Sequence, residues 1–305
     1  MIVEVLDIGS NSIKCLIADK REKSFNCLTD IRIPFRLGSY LTKKGYISEL
    51  GQNKAIYVLN CLQLDIERAY KVEEIIAAGT ETFRRASNRK EFVRRIYIQD
   101  CLEVKILTPK QEAKLEWKGV LSGLPNPLQP ITVFDSGGFS TEIISGRGGH
   151  IQSSQSFPLG ALQLTKQFVK SDPISTKDYN NLLFYINGVL PVSIVTKDTL
   201  IGTGGGALVC ACVASKGKIK TPQQAEGYEI TLAELQRQIE LYKQTDLKQR
   251  ENIAGMEKER ADIMLAAVLL FSALLKKSGK DRFRVSTRGL RHGMLTMPKW
   301  YVCPI

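Results

Sequence analysis

An α/β architecture of two similar domains flanking a cleft is what this chain predicts, and three observations carry it. Strand-like and helix-like segments alternate along the sequence. A strand, turn and strand unit occurs twice. The 305 residues exceed what one small core usually organises. Residues 3–18 read VEVLDIGSNSIKCLIA and residues 131–146 read ITVFDSGGFSTEIISG, and the two align without a gap. Asp7 meets Asp135, Gly9 meets Gly137 and Ser12 meets Ser140, each after one apolar strand and before another. Ligands favour the space between such halves.

Residues 2–6 are strand-like, and the polar elbow that follows turns the chain into a second strand at 13–18. Ala55, Val58, Leu59, Leu62, Ile66 and Ala69 have helical spacing, and residues 74–78 read as a buried strand. Three prolines within residues 125–130 mark a linker, which divides the chain into domains 1–125 and 126–305. Gly202, Gly204, Gly205 and Gly206 precede a helix-like run at 207–214. Such glycines let backbone N–H groups approach an anion, or simply make a tight packing turn. Their pattern fits neither the dinucleotide fingerprint nor Walker A. Thr231 and Glu234 form a capping box that starts a helix, and residues 261–275 are apolar nearly all round, as a buried helix would be.

Composition narrows the function. Hydrophobic residues make up 43% and charged residues 24%, which argues against disorder, collagen or mucin. The longest apolar run, residues 264–275, falls short of the roughly 20 residues that cross a bilayer. Glu4 and Asp7 interrupt any apolar leader, so a cytoplasmic location is expected, with no membrane partner. The seven cysteines form no CxxC pair and read as reduced core thiols. Lys and Arg number 43 against 31 Asp and Glu, a formal +12 that favours polyanions. Two dense stretches carry much of it: Arg84, Arg85, Arg89, Lys90, Arg94 and Arg95, then Lys276, Lys277, Lys280, Arg282, Arg284, Arg288 and Arg291. Nucleic acid is disfavoured, since only Phe83, Phe92, Tyr97 and Phe283 lie near them as stacking platforms.

An ordered set of motifs remains: Asp7 to Ser12, Gly79 to Asn88, Gln111 to Leu115, Asp135 to Glu142, Gly202 to Gly206, Glu259 to Asp262 and Ser286 to Leu295. With these the chain resembles, over nearly its whole length, the exopolyphosphatase and guanosine pentaphosphate phosphohydrolase (Ppx/GppA) family of the actin, Hsp70 and sugar-kinase superfold. The resemblance implies α/β architecture with two actin-like (ribonuclease H-like) domains, of the short class, and a C-terminus that packs back onto the first domain. It also implies Mg2+- (or Mn2+-) dependent removal of a terminal phosphate from polyphosphate or guanosine pentaphosphate (pppGpp). The sequence does not choose between these substrates, and a homodimer stays open.

Phosphoanhydride hydrolysis needs charge neutralisation and a positioned water more than covalent chemistry. Backbone and side-chain donors of Gly9, Ser10, Asn11, Ser12, Gly137, Gly138, Ser140 and Thr141 suit phosphate oxygens. Asp7, Asp135 and Glu142 are hard oxygen ligands for the metal. Arg84, Arg260 and Arg291 are phosphate or nucleotide contacts, with ion pairing as the alternative. By resemblance Glu112 occupies the position of the catalytic carboxylate and acts as general base. Three departures count against turnover. Phe139 replaces a loop glycine, where positive φ would be costly; Gln111 replaces an acid beside Glu112; and His292 replaces an acid near the end. The alternative is a catalytically impaired binder of polyphosphate or an alarmone.

Overall fold

In the computed structural model, which describes residues 1–22, 24–191 and 198–296, the chain forms two α/β units. Unit one comprises Met1–Ser122 and the segment that starts at Leu290; unit two is Gly123–Gly289. The division therefore falls at Gly123 rather than after residue 125, and the described residues from Leu290 on group with unit one, the domain onto which the resemblance folds the C-terminus.

Unit one contains β1 (Ile2–Ile8), β2 (Ser12–Lys20), β3 (Phe25–Pro34), α1 (Glu49–Ala69), β4 (Glu74–Gly79), α2 (Glu81–Arg85), α3 (Arg89–Asp100), β5 (Val104–Ile106) and α4 (Pro109–Leu121). Its sheet runs β3-β2-β1-β4-β5: the first three strands are antiparallel, and β4 and β5 run parallel to β1. Unit two contains β6 (Pro130–Ser136), β7 (Thr141–Arg147), β8 (His150–Phe157), α5 (Ala161–Phe168), α6 (Thr176–Val189), β9 (Thr199–Thr203) and α7 (Gly204–Ala214). It continues with β10 (Glu229–Thr231), α8 (Leu232–Gln244), α9 (Leu247–Glu251), α10 (Met264–Ser278) and β11 (Arg282–Val285). The last helix, α11 (Leu290–Leu295), lies in unit one.

The sheet of unit two runs β10-β11-β9-β6-β7-β8. Taken from β8, it repeats the plan of unit one: an antiparallel meander β8-β7-β6, then β9 parallel to β6 and β11 parallel to β9. The duplication read from residues 3–18 and 131–146 thus extends to five strands in each unit. The third strand of each meander escaped the sequence reading because β3 and β8 are edge strands with few buried residues, so neither has a strong apolar alternation.

Cores follow from these faces. One side of the first sheet packs Leu6, Ile8, Ile13 and Ile17 under α1 and α3. The other packs Val3, Val5, Leu16 and Ala78 against Leu115 of α4 and Leu290, Met294 and Leu295 of α11. Gly293 allows that seat: a Cβ there would come within 1.8 Å of the Leu115 carbonyl oxygen. His292 is buried in α11, its ring 6.1 Å from that of Phe25. In unit two α10 is buried over nearly all its length, as its composition predicts, and Phe271 meets Phe134 and Phe283 in an aromatic cluster. Among the described residues no helix is long and apolar enough to cross a membrane. Two cysteines, Cys61 and Cys101, are exposed rather than in the core, and Cys303 lies outside the described residues.

Candidate active site

Parallel strands place their C-terminal ends at one edge of each sheet. In unit one the register sets Ile8 beside Gly79 and Gly79 beside Ile106, so the β1–β2 turn, the start of α2 and the approach to α4 share that edge. In unit two Asp135 lies beside Thr203 and Gly202 beside Val285, which brings together the β6–β7 turn, the glycine run and the segment after β11. All the candidate site residues except Arg260 and Arg291 come from these two edges.

The two turns close alike. The Gly9 N–H donates to the Ser12 carbonyl at 3.1 Å, and the Gly137 N–H donates to the Ser140 carbonyl at 2.9 Å. Around the first turn, the carbonyls of Asn11 and Ser10 accept from the N–H groups of Phe35 (3.2 Å) and Gly38 (2.9 Å), and the Thr82 hydroxyl donates to that of Ser10 at 2.8 Å. Acceptors of the loop are thereby consumed by the protein. The Asn11 side-chain oxygen is buried without a partner.

The second turn is held from behind by the first turn of α5. Carbonyls of Gly137, Gly138 and Phe139 accept from the N–H groups of Ala161 (3.0 Å), Gln163 (2.9 Å) and Gly160 (3.1 Å). Gly160 is required for this seat, since a Cβ there would lie 2.2 Å from the Phe139 nitrogen. Phe139 is buried, and it is not among the described non-glycine residues with positive φ. The strain expected of Phe139 in the phosphate loop is absent, because docking on α5 fixes a backbone that any residue can adopt. Thr141 donates its hydroxyl to the Leu159 carbonyl at 2.7 Å, and the buried Ser136 hydroxyl has no partner.

Electrostatically the turns differ. Asp7 is the register partner of Lys14, whose ammonium lies 2.8 Å from its carboxylate. Asp135 is the register partner of Glu142, so two carboxylates share one face of the sheet, and Ser156 donates to Glu142 at 2.8 Å. A metal at Asp7 would have to displace an ammonium. Asp135 and Glu142 instead present two carboxylates side by side, oxygen donors of the kind Mg2+ takes.

The glycine run serves packing as much as approach. A Cβ on Gly202 would strike the rings of Phe134 and Phe283, and one on Gly206 would crowd Phe271. Gly204 has φ +81°, and a Cβ there would sit 2.3 Å from an Asp135 carboxylate oxygen. Gly204, Gly205 and Gly206 form the first turn of α7, whose backbone N–H groups lack helical acceptors. The anion-cradling role read from the sequence therefore does not extend to Gly202, which lies inside β9.

Glu112 stands in the first turn of α4, and its carboxylate lies 2.5 Å from the Arg84 guanidinium. Arg84 also pairs with Glu81 at 2.8 Å and donates to the Leu107 carbonyl at 3.0 Å. Burial opposes the charge on Arg84, but Glu112 and Glu81 outweigh it, so the guanidinium is held in its charged form. Gln111 completes the capping box: its side-chain oxygen accepts from the Thr108 N–H at 2.9 Å while Thr108 caps the N–H of Gln111. The side chain of Gln111 is directed to the cap, so its neutral amide fulfils a helix-start role that either Gln or Glu can fill.

Each arginine assigned to phosphate sits in a carboxylate pair. Arg260 meets Glu257 at 3.2 Å and is buried just before α10. Arg291 pairs with both carboxylate oxygens of Asp30 and packs within unit one, a binding partner that α11 provides by docking there. Both basic stretches are largely engaged in the same way. Arg89 donates to the Ala86 carbonyl, Arg95 to Gln52 and Asn53, Lys277 to the carbonyls of Asn187 and Leu190, and Arg282 and Arg284 to Glu229. In the two basic stretches these five cations are therefore held by the protein's own acceptors.

Sequence reasoning missed Lys14, Thr82 and Gly160. Lys14 was available from the repeat itself, which aligns it with Glu142. The other two act through tertiary contacts that leave no local pattern.

The model of the Ppx/GppA phosphatase family matches residues 16–298. This chain belongs to the Ppx/GppA phosphatase family. Its fold is similar to that of the Aquifex aeolicus Ppx/GppA enzyme, with a TM-score of 0.82 and 29% identity over 97% of this chain and 99% of that one. It is also similar to an exopolyphosphatase from Cytophaga hutchinsonii, with a TM-score of 0.87 and 26% identity over 97% of this chain and 98% of that one. A guanosine-5'-triphosphate,3'-diphosphate pyrophosphatase of Vibrio cholerae is 25% identical over 300 residues, covering 95% of this chain and 58% of the relative. The chain spans about half the length of such curated relatives.

Proposed function

We propose that the protein is a phosphoanhydride hydrolase that removes the terminal phosphate of polyphosphate or guanosine pentaphosphate. The observation that carries this reading is the pair of identically closed turns, one beside Glu112 on unit one and one beside two facing carboxylates on unit two. Backbone donors of Ser10 to Ser12 and Gly138 to Ser140 bind phosphate oxygens, since the N–H groups of Gly9 and Gly137 already close the turns and the carbonyls are occupied from behind. Asp135 and Glu142 would hold Mg2+ or Mn2+, which neutralises phosphate charge when bound. Arg84 fixes the carboxylate of Glu112, which orients a water and accepts its proton as the new phosphorus–oxygen bond forms and the bridging one breaks, the shortened phosphate chain leaving with the bridging oxygen. Phe139 has no positive φ and Gln111 caps α4, so neither departure distorts the local backbone, and the turnover assay below decides between turnover and binding without activity.

The test is phosphate release with Mg2+ from long polyphosphate, guanosine pentaphosphate and ATP, side by side, for wild type and Glu112→Gln. Turnover of one of the first two is expected, falling roughly 10² to 10⁴-fold in the variant with substrate affinity nearly unchanged. Equal rates for both proteins would remove Glu112 from the mechanism.

A further inference from the structure

Helix α2 follows β4 directly, and one ring fixes its seat. Phe83 is fully buried and stacks on Phe92 of α3 with centroids 5.2 Å apart. It lies so close to the end of β4 that a Cβ on Gly79 would sit 2.6 Å from the ring. The residues on either side of this anchor reach two different parts of the site in unit one. Thr82 donates its hydroxyl to the Ser10 hydroxyl oxygen at 2.8 Å, and Arg84 reaches Glu112.

Glu81 stands one turn before Arg84 and holds the edge of the guanidinium that Glu112 does not use. One of its oxygens accepts from Nε at 3.3 Å and from Nη2 at 2.8 Å. Nη1 donates to the Leu107 carbonyl at 3.0 Å and to Glu112 at 2.5 Å. Three acceptors thus fix the guanidinium, and the freedom that a long side chain would lose on meeting Glu112 is already lost. Two carboxylates also share one positive charge. A carboxylate placed so keeps more proton affinity than one with a guanidinium to itself, which is what a base requires.

Thr82 acts on the phosphate side. Its proton occupies a lone pair of the Ser10 hydroxyl oxygen, and the Ser10 carbonyl accepts from the Gly38 N–H at 2.9 Å. The Ser10 hydroxyl is left to donate, rather than accept, toward a ligand at the turn. We infer that α2 is the positioning segment of unit one: Glu81 sets the base through Arg84, and Thr82 sets the Ser10 hydroxyl as a phosphate donor. The inference rests on the hydrolase reading and assigns neither residue a contact with the reacting atoms.

Steady-state phosphate release with Mg2+ tests it, on whichever of long polyphosphate and guanosine pentaphosphate the wild type turns over. Glu81→Gln keeps the size and removes the charge, so kcat is expected to fall about tenfold with KM within about two-fold. Thr82→Val keeps the shape and removes the donor, so KM is expected to rise about five-fold with kcat within about two-fold. Two double variants separate positioning from a merely structural role. Glu81→Gln should cost nothing further in kcat beside Glu112→Gln, and Thr82→Val nothing further in KM beside Ser10→Ala. Full additivity in either pair, wild-type constants in either single variant, or kcat and KM falling away together in both would overturn the inference. Glu112→Gln at the wild-type rate would defeat the hydrolase reading and this inference with it, whereas a slow Glu112→Gln beside unchanged α2 variants would defeat the inference alone.

Discussion

The two hairpins that open the units share a backbone and differ in charge. In both, an Asp ends the first strand, a glycine N–H closes on a serine carbonyl, and the residue across from the Asp begins the return. That facing residue is Lys14 in unit one and Glu142 in unit two. The first turn pairs its Asp with an ammonium, whereas the second sets two carboxylates side by side. Both keep the same backbone closure. One cross-strand position therefore carries opposite charge in the two hairpins.

Converting the second hairpin into the first should have the largest effect. In Glu142→Lys the new ammonium pairs with Asp135 as Lys14 does with Asp7. Calorimetry is expected to show Mg2+ binding lost, and phosphate release to fall by at least about 10². Mg2+ binding at wild-type affinity in this variant would show that the cation is held elsewhere.

The support behind the second turn separates it from the first in another way, because α5 donates three backbone hydrogen bonds to it. Gly160→Ala forces the Phe139 nitrogen away from a Cβ that would lie 2.2 Å from it. A misplaced loop should lower kcat by roughly 10-fold to 10²-fold, with a smaller change in KM, since remote shifts of about 1 Å cost that much. Phe139→Gly, by contrast, is expected to leave kcat within a few-fold, as the residue stores no backbone strain. A large gain in that variant would mean that the Phe139 side chain, and not its φ, restrains the loop.

Removing the built-in cation of the first hairpin should act on stability. Lys14→Met leaves Asp7, nearly buried, without its ion pair. The cost should fall below the roughly 3–5 kcal/mol of a fully buried pair, because Lys14 keeps some exposure. Thermal melting with and without Mg2+ checks this. If Asp7 stands in the same position as Asp135, Mg2+ should restore part of the lost stability, and a melting temperature equal to wild type without Mg2+ would show that the ion pair contributes nothing.

How much of this was legible depended on whether a contact was local. The gap-free alignment of residues 3–18 with 131–146 predicted both hairpins, because apolar strand runs and a Gly-containing elbow are sequence properties. The cap at Thr108 and Gln111 is equally local, although Gln111 was first read as a lost acid of the site. Arg84, Arg260 and Arg291 could not be assigned from sequence, since a guanidinium suits carboxylate and phosphate alike. The partners of Arg84 and Arg291 become evident only when the fold brings Glu112 and Asp30 to them, whereas Glu257 stands three residues before Arg260. The seat of α11 on unit one came from the resemblance alone, because Gly293 is one residue in a short helix until Leu115 is placed against it.

The smallest expected effect concerns the paired positions Glu4 and Thr132, which the repeat aligns on the first strand of each unit. Both are buried, but Thr132 donates to Asp198 at 3.3 Å, whereas Glu4 has one carboxylate oxygen without any partner. Burial pushes the Glu4 carboxyl up from its ordinary value, and hydrogen bonds from Gln63 (2.7 Å) and Cys15 (3.5 Å) offset this only in part. A carboxyl whose folded value is raised binds more protons in the folded state than in the unfolded chain. Its contribution to stability is therefore present below the ordinary value of 4.5 and is lost as pH rises from there through the raised value. Glu4→Gln keeps an acceptor for Gln63 and removes the titration. Its melting temperature should match wild type near pH 4 and exceed it by a few degrees at pH 8. Thr132→Val serves as the control, with a difference from wild type that does not change with pH. A Glu4→Gln difference that is equally constant between pH 4 and 8 would mean that Glu4 keeps one protonation state across that range.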